Sequence, residues 1–350
     1  MNYYQPLARL AVEHQQRRPG SAGAAATIKQ ITTLAAAGKL NSETSKVPGY
    51  QLPNSLWGIA TLGLVAFMIG FVIPLASLGG AILLGILLLR ELSHPFLGKS
   101  QASVGANLLI NLPAKNKEAQ KVFLVASYDT DPFTKTPFAL TTGLYLTIIF
   151  GIIAGMSIMS LLYLLQWGGV FNYLNLLLLL LIVIGNLAAK NPPREPATLK
   201  NCAALLETAA ILNKVKPDIT SVTLCFCGAR SLNSGIAALA QEFTKGPEDL
   251  TYVVNLSESN PTKASALQCL TCEGTLPVKN ASSILLGLFQ EVAREKSLTL
   301  TTGKTNEYPE TYPLNRYKIQ PLSLIIPQNE TVAVRDVREL LCGLIRKLDH

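Results

Sequence analysis

Four short clusters hold the side chains best suited to chemistry. Ser127, Tyr128, Asp129 and Asp131 form the first, Arg230 and Ser231 the second, Ser257 and Glu258 the third. Glu307, Tyr308 and Glu310 form the fourth. Hydroxyls and carboxylates can serve nucleophilic, acid–base or metal chemistry, but each needs a partner. Ser127 and Asp129 have no histidine to activate the hydroxyl. The three histidines, His14, His94 and His350, all lie away from these clusters. Asp129, Asp131, Glu258, Glu307 and Glu310 could hold a hard cation such as calcium, weakly at best. Cys269-Leu-Thr-Cys272 is a lone CxxC, so isolated buried thiols are the expectation for the six cysteines. The chain has no G-x-S-x-G elbow, phosphate loop or dinucleotide fingerprint.

All four clusters follow or precede segments that read as strands. Asn107 to Leu112 reads as a strand ending at Pro113, and Val122 to Ala126 as one buried on both faces. Val222 to Cys227, Tyr252 to Leu256, Leu298 to Thr302 and Pro321 to Ile326 read as further strands. Helices are expected over Ala22–Ala37, capped by Ser21 and stopped at Gly38, and over Cys202–Val215 and Ser234–Phe243. Two more are expected over Ser282–Glu295 and Val332–Leu348. The alternation predicts an α/β fold, a doubly wound, mostly parallel sheet. Its site belongs at the carboxyl ends of the strands, where the clusters fall.

Charge is distributed unevenly. Only 15% of the 350 residues are charged, and none lies within Ser55–Leu89 or Phe138–Ala189. A helix needs about 20 apolar residues to cross a bilayer, so the second stretch holds two spans, with a turn at Trp167-Gly168-Gly169. The first is ambiguous by length, with a break available near Pro74 and Gly79-Gly80. Residues 1–54, 90–137 and 190–350 carry parts of one sheet, so each insertion must cross an even number of times. Two inserted transmembrane hairpins are therefore expected, 55–89 and 138–189. Arg90, Lys99, Lys135, Lys190 and Arg194 flank the spans and the hairpin tips lack Lys and Arg, which puts the domain in the cytoplasm. A multi-pass protein of the plasma membrane, in contact with lipid, is the expectation. The net charge of +8 is scattered, with no basic patch for nucleic acid.

In seven segments, in order, the chain resembles metallopeptidase family 28, the two-zinc aminopeptidase and glutaminyl cyclase kind. They are Arg17-Arg-Pro-Gly-Ser21, Asn107–Pro113, Val122–Asp129, Ala204–Ala209, Phe226–Ala229, Val253–Leu256 and Ile319–Leu324. The resemblance implies a fold of zinc-aminopeptidase type and a site with two His, three carboxylates and a Glu base. At the implied positions this sequence differs. Ser127 stands for the first His, and Thr198-Leu199-Lys200-Asn201 offers no bridging Asp. Arg230-Ser231 replaces the Glu pair, Ser257 the next Asp and Tyr308 the last His. Of the implied set Asp129 alone remains, and in the family it orients a His rather than binding metal. Zinc and catalysis are therefore not expected, and Ser127, Asp129, Arg230, Ser231, Ser257 and Tyr308 are vestigial site positions. An ion pair between Asp129 and Arg230 would close the emptied site.

The leading expectation is a membrane-anchored pseudo-peptidase that binds or scaffolds a protein partner. An active hydrolase with a displaced metal set is the alternative. A transporter subunit comes third, disfavoured by the absence of polar residues in the spans. Gly151-x-x-x-Gly155 has the spacing for close helix packing within the chain.

Overall fold

The computed structural model describes residues 2–15, 17, 20–50, 52–93, 99–129, 142–165, 168–188, 198–228, 235–243, 250–259, 266–274, 278–305, 314, 319–328 and 333–350. Its elements run α1 (Tyr4–Glu13), α2 (Ala22–Ala37), β1 (Ser42–Tyr50), α3 (Leu52–Gly70), α4 (Pro74–Ser93), β2 (Lys99–Leu112) and β3 (Gln120–Ser127). Next come α5 (Thr142–Leu164), α6 (Val170–Leu187), α7 (Lys200–Leu212), β4 (Thr220–Cys227) and α8 (Gly235–Phe243). The chain closes with β5 (Thr251–Ser259), β6 (Leu267–Glu273), β7 (Lys279–Asn280), α9 (Ser283–Glu295), β8 (Leu300–Lys304), β9 (Leu322–Pro327) and α10 (Val334–Leu348).

The strands form one sheet in the order β1-β2-β4-β3-β5-β9-β6-β7, with β8 against β6. The expectation of a mostly parallel sheet needs correcting. Four central strands, β4-β3-β5-β9, are parallel, but β1, β2, β6 and β7 join by antiparallel pairing. The central runs are apolar on both faces because helices cover both. Val122, Leu124 and Ala126 face the larger core with α1, α2, α7, α9 and α10. Phe123 and Val125 face a smaller core with α8, where the Phe123 and Phe243 rings meet edge-on at 4.3 Å.

Local signals explain the helices. Ser21 Oγ accepts the Ala24 N–H at 3.2 Å and Ser282 Oγ that of Leu285 at 3.3 Å, so both hydroxyls cap helix starts. In α10, Val334, Val337, Leu341, Leu344 and Leu348 are buried at three- and four-residue spacing, one stripe facing the larger core, where the helix packs on α7 and α9.

The two apolar stretches form four helices that pack in a ring, α3 on α4, α4 on α5, α5 on α6 and α6 on α3. Three of the helices are long and apolar enough to cross a membrane, and Leu56–Gly70 is a shorter apolar helix. Their outward side chains, such as Leu64, Met68, Ile86, Leu161, Leu177 and Ile184, are exposed and apolar. A Cβ at Gly151 would meet nothing within 4 Å and one at Gly155 would meet Leu178 Cδ1 at an ordinary 3.6 Å, so Gly151-x-x-x-Gly155 is not a point of close helix approach. Close approach falls at Gly80 instead, where a Cβ would lie 2.5 Å from Ala66 Cβ.

The spans are also not devoid of polar residues. Ser77 Oγ donates to Asn172 Oδ1 at 2.6 Å, Asn172 Nδ2 to Phe67 O at 3.0 Å, and Asn175 Nδ2 to Ser160 Oγ at 2.8 Å. These groups join helices near the hairpin tips, where a buried amide without partners would be costly. Towards the opposite end lie buried Tyr145 and Asn186. Between the two groups the interior is apolar, formed by Ile149, Ile153, Met156, Leu179 and Ile182.

Strand register places the described ends of the sheet that lead towards the bundle helices on one edge. Ser127 ends β3 level with Cys227 of β4, at the carboxyl ends of the parallel strands. Leu108 lies opposite Phe226, so the Lys99–Asn107 part of β2 runs on past that edge, paired with β1. This two-stranded ribbon projects about 25 Å at 3.3 Å per residue. Helix α3 follows β1 and α4 leads into β2 at its far end, while α5 follows Ser127 and α6 precedes the start of α7 at the same edge.

Candidate functional site

That carboxyl edge brings Ser127, Asp129, Ser257 and Glu258 together, and all four are buried. Arg230, Ser231 and Tyr308, with Asp131, Glu307 and Glu310, lie outside the described residues. The expected Asp129–Arg230 pair is among the features that fall there.

Helix α7 starts in the middle of this cluster. Asn201, in its first turn, donates its side-chain amide to Ser127 O at 3.0 Å and to Leu256 O at 3.3 Å. Its Oδ1 accepts the Cys202 N–H at 2.8 Å. One amide thus ties the ends of β3 and β5 to the helix. The Glu258 carboxylate receives the Thr198 N–H at 2.6 Å, the Thr198 hydroxyl at 3.2 Å and the Asn201 N–H at 3.3 Å. An anion gathering amides at a helix start is favoured by both hydrogen bonding and the helix dipole. Leu199, between the two, is buried at φ 61°, a left-handed conformation that costs a side-chain-bearing residue on the order of 1 kcal/mol.

The cation here is Arg17, which is fully buried. Its Nε donates to Tyr128 O at 3.1 Å, and its Nη1 to His14 O at 2.9 Å and Ala11 O at 3.4 Å. Burial lowers its pKa, and the negative charge of Glu258, with smaller effects from Cys202 and Asp129, opposes that lowering. Burial likewise drives the Cys202 thiol well up, with Glu258 adding to the rise. The Tyr128 hydroxyl donates to Ala106 O at 2.7 Å, and burial together with Asp129 pushes its pKa upward.

Two further residues fix the wall. Asn107 Nδ2 donates to Gly235 O at 2.8 Å, and its Oδ1 accepts the Gly228 N–H at 3.2 Å. Gly228 must be glycine, because a Cβ there would fall 2.6 Å from Ala106 O.

Sequence reasoning found Ser127, Asp129, Ser257 and Glu258, and marked 198–201 as the place where an acid was missing. It read Arg17 only as part of a turn. The guanidinium reaches the site across 111 residues of sequence, and no local pattern announces such a contact.

No family model and no curated protein matches the sequence. Solved structures do resemble the fold. A glutaminyl cyclase from an Acidobacteriales bacterium aligns with TM-score 0.52 at 12% identity, over 99% of this chain and 94% of the other. A zinc aminopeptidase from Bacillus subtilis gives 0.51 at 11%, over 99% and 94%. A zinc-dependent exopeptidase from Parabacteroides distasonis gives 0.50 at 11%, over 99% and 96%. The chain therefore has a zinc-aminopeptidase-like α/β fold, with apolar helices long enough to span a membrane.

Such folds raise the question of zinc. The described side chains do not fit a zinc pair. Zinc takes imidazole, thiolate and carboxylate donors, and the described residues hold no group of three or more His, Cys, Asp or Glu side chains placed to hold a metal ion. Asn201 turns its NH2 group onto carbonyls, Glu258 accepts from Thr198 and Asn201, and the permanent charge of Arg17 would repel a dication.

Proposed function

We propose that this protein is a membrane-anchored pseudo-peptidase, whose peptidase-like domain binds or scaffolds a protein partner without hydrolysing a peptide bond. One observation carries the reading. Between the ends of β3 and β5 sits a hydrogen-bonded cluster of Asn201, Glu258 and Arg17, with buried Asp129 beside it. The positive charge that a metal would supply is supplied by a guanidinium. Apart from the Thr198 hydroxyl's bond to Glu258, the hydrogen bonds described above fasten backbone to side chain, which suits a fixed surface better than a reacting centre.

The test uses full-length protein purified in detergent. Metal analysis is expected to find no stoichiometric zinc, and an aminoacyl reporter to stay intact. Stoichiometric zinc together with reporter cleavage would overturn the proposal in favour of an active hydrolase with a displaced metal set.

In this reading both hairpins cross the bilayer, lipid covers their apolar outer faces, and the domain lies in the cytoplasm at the plasma membrane. The shared exit edge supports it, since the described ends of the sheet that lead towards the bundle lie on one side. Ser42→Cys is expected to resist an impermeant thiol reagent in intact cells. Labelling there would put the domain outside.

A further inference from the structure

A second concave region runs along α7, from its start beside the strand-end cluster, between the end of α2 and the start of α10. It encloses about 1080 Å³, the size of a pocket for a small organic ligand. Among the described residues four cations line it, Lys39, Lys200, Lys214 and Arg338, against one carboxylate, Glu207.

Glu207 is already engaged, accepting from Arg338 Nη1 at 3.2 Å, while Nη2 of the same side chain lies 3.6 Å from Glu339. The Nε of Arg338 is buried and has no hydrogen-bond partner. Nearly all buried donors are paired, so Arg338 Nε is an exception within the wall of the groove. Lys200 is only 5% exposed, and its Nζ reaches Gln328 O at 3.4 Å. Lys39 and Lys214 are exposed, and no carboxylate among the described residues forms an ion pair with either. Lys39 also occupies a left-handed position (φ 57°) just past the end of α2, where glycine or asparagine is usual. A long cation is held where a smaller residue would relax the backbone.

We propose that this groove binds a soluble, multiply phosphorylated small molecule of mononucleotide size. Phosphoryl oxygens match the chemistry on offer, one guanidinium and three ammonium groups. The excess of positive charge calls for an anion of more than one charge. The volume favours a compact ligand over a protein surface, which would need far more area. The proposal does not depend on the silence of the strand-end site.

Full-length protein in nanodiscs of zwitterionic lipid, which offers no acidic headgroup, is titrated with tripolyphosphate by calorimetry at low ionic strength. Saturable one-to-one binding is expected. The double substitution Lys39→Gln with Lys214→Gln should weaken it at least about tenfold, two exposed ion pairs being lost. Its melting temperature should be unchanged, because neither lysine is paired. A control of equal charge change, Lys279→Gln with Lys304→Gln, should bind as the parent does. Absence of saturable binding, equal weakening in the control, or citrate binding as tightly as tripolyphosphate would each overturn the proposal.

Discussion

Two carboxylates at opposite ends of the sheet are fastened in the same way yet sit in different surroundings. At the carboxyl end, Glu258 takes two backbone amides and a hydroxyl from Thr198 and Asn201, buried beside Arg17. At the amino end, Asp349 takes the N–H groups of Asp218, Ile219 and Thr220 at 2.7, 2.9 and 3.0 Å, half-buried at the end of α10. Both staple a chain segment to its neighbour. The Asp349 bonds lock the entry to β4 onto the last helix, a task that structure alone explains. The Glu258 bonds sit in a buried charge cluster, and buried charge is an expensive way to fasten a loop. The contrast teaches that hydrogen bonds to backbone do not by themselves mark a site; the desolvated cation and its two acids do.

The largest effect should come from breaking that cluster. Arg17→Met leaves Glu258 and Asp129 buried without their cation and should cost about 3 to 5 kcal/mol in chemical denaturation. Adding Glu258→Gln removes one of the stranded charges, so the double variant should recover at least about 1 kcal/mol of the loss. A single-substitution cost under about 1 kcal/mol, or no coupling, would make Glu258 an ordinary staple like Asp349.

Asp349→Asn should cost less, about 1 kcal/mol at neutral pH, because a neutral amide oxygen still accepts. Burial raises the Asp349 pKa, but the amides of Asp218, Ile219 and Thr220 outweigh it and hold it below the usual value. A depressed folded pKa gives stability that is complete above the unfolded value of about 3.9 and is lost as pH falls through the folded value. Parent and Asp349→Asn melting curves should therefore converge in acid. A gap that persists at the acid end would mean that the charge of Asp349 is not what holds β4.

How far the sequence announced these features differs by element. Strands β3 and β4 were legible because helices cover both faces and leave continuous apolar runs. Strand β1 was not, since Ser42-Glu-Thr-Ser-Lys46 is polar and its place at the sheet edge demands little hydrophobicity. Strand β6 hid behind its CxxC, which drew attention to metal chemistry, although Cys269 and Cys272 lie three apart on a strand and both are free thiols. Sequence distance concealed Arg17 in a similar way. Asn201 was half visible, marked as the place where an acid was missing, but its bridging amide depends on two strands meeting there. In the bundle, apolar composition was obvious and the buried asparagines were overlooked, because a polar residue in a span gives no sign of which way it faces.

The shared exit edge of the four helices also constrains how the molecule is made. Strands β1, β2 and β3 leave the ribosome interleaved with both hairpins, yet β4, which pairs with β2 and β3, follows all four helices, and β5 and β9 come later still. Strands β1 and β2 can pair with each other early, but the sheet cannot close until the bundle has been synthesised, so β3 and the inner edge of β2 must wait for β4 through a long stretch of translation. No single cut can release the domain, because each hairpin interrupts it. A version without the apolar helices would need both hairpins excised and two new joins made across the edge where Ser127 and Lys99 lie. The helices are thus spliced into the folding order, and bundle and domain have to mature as one object.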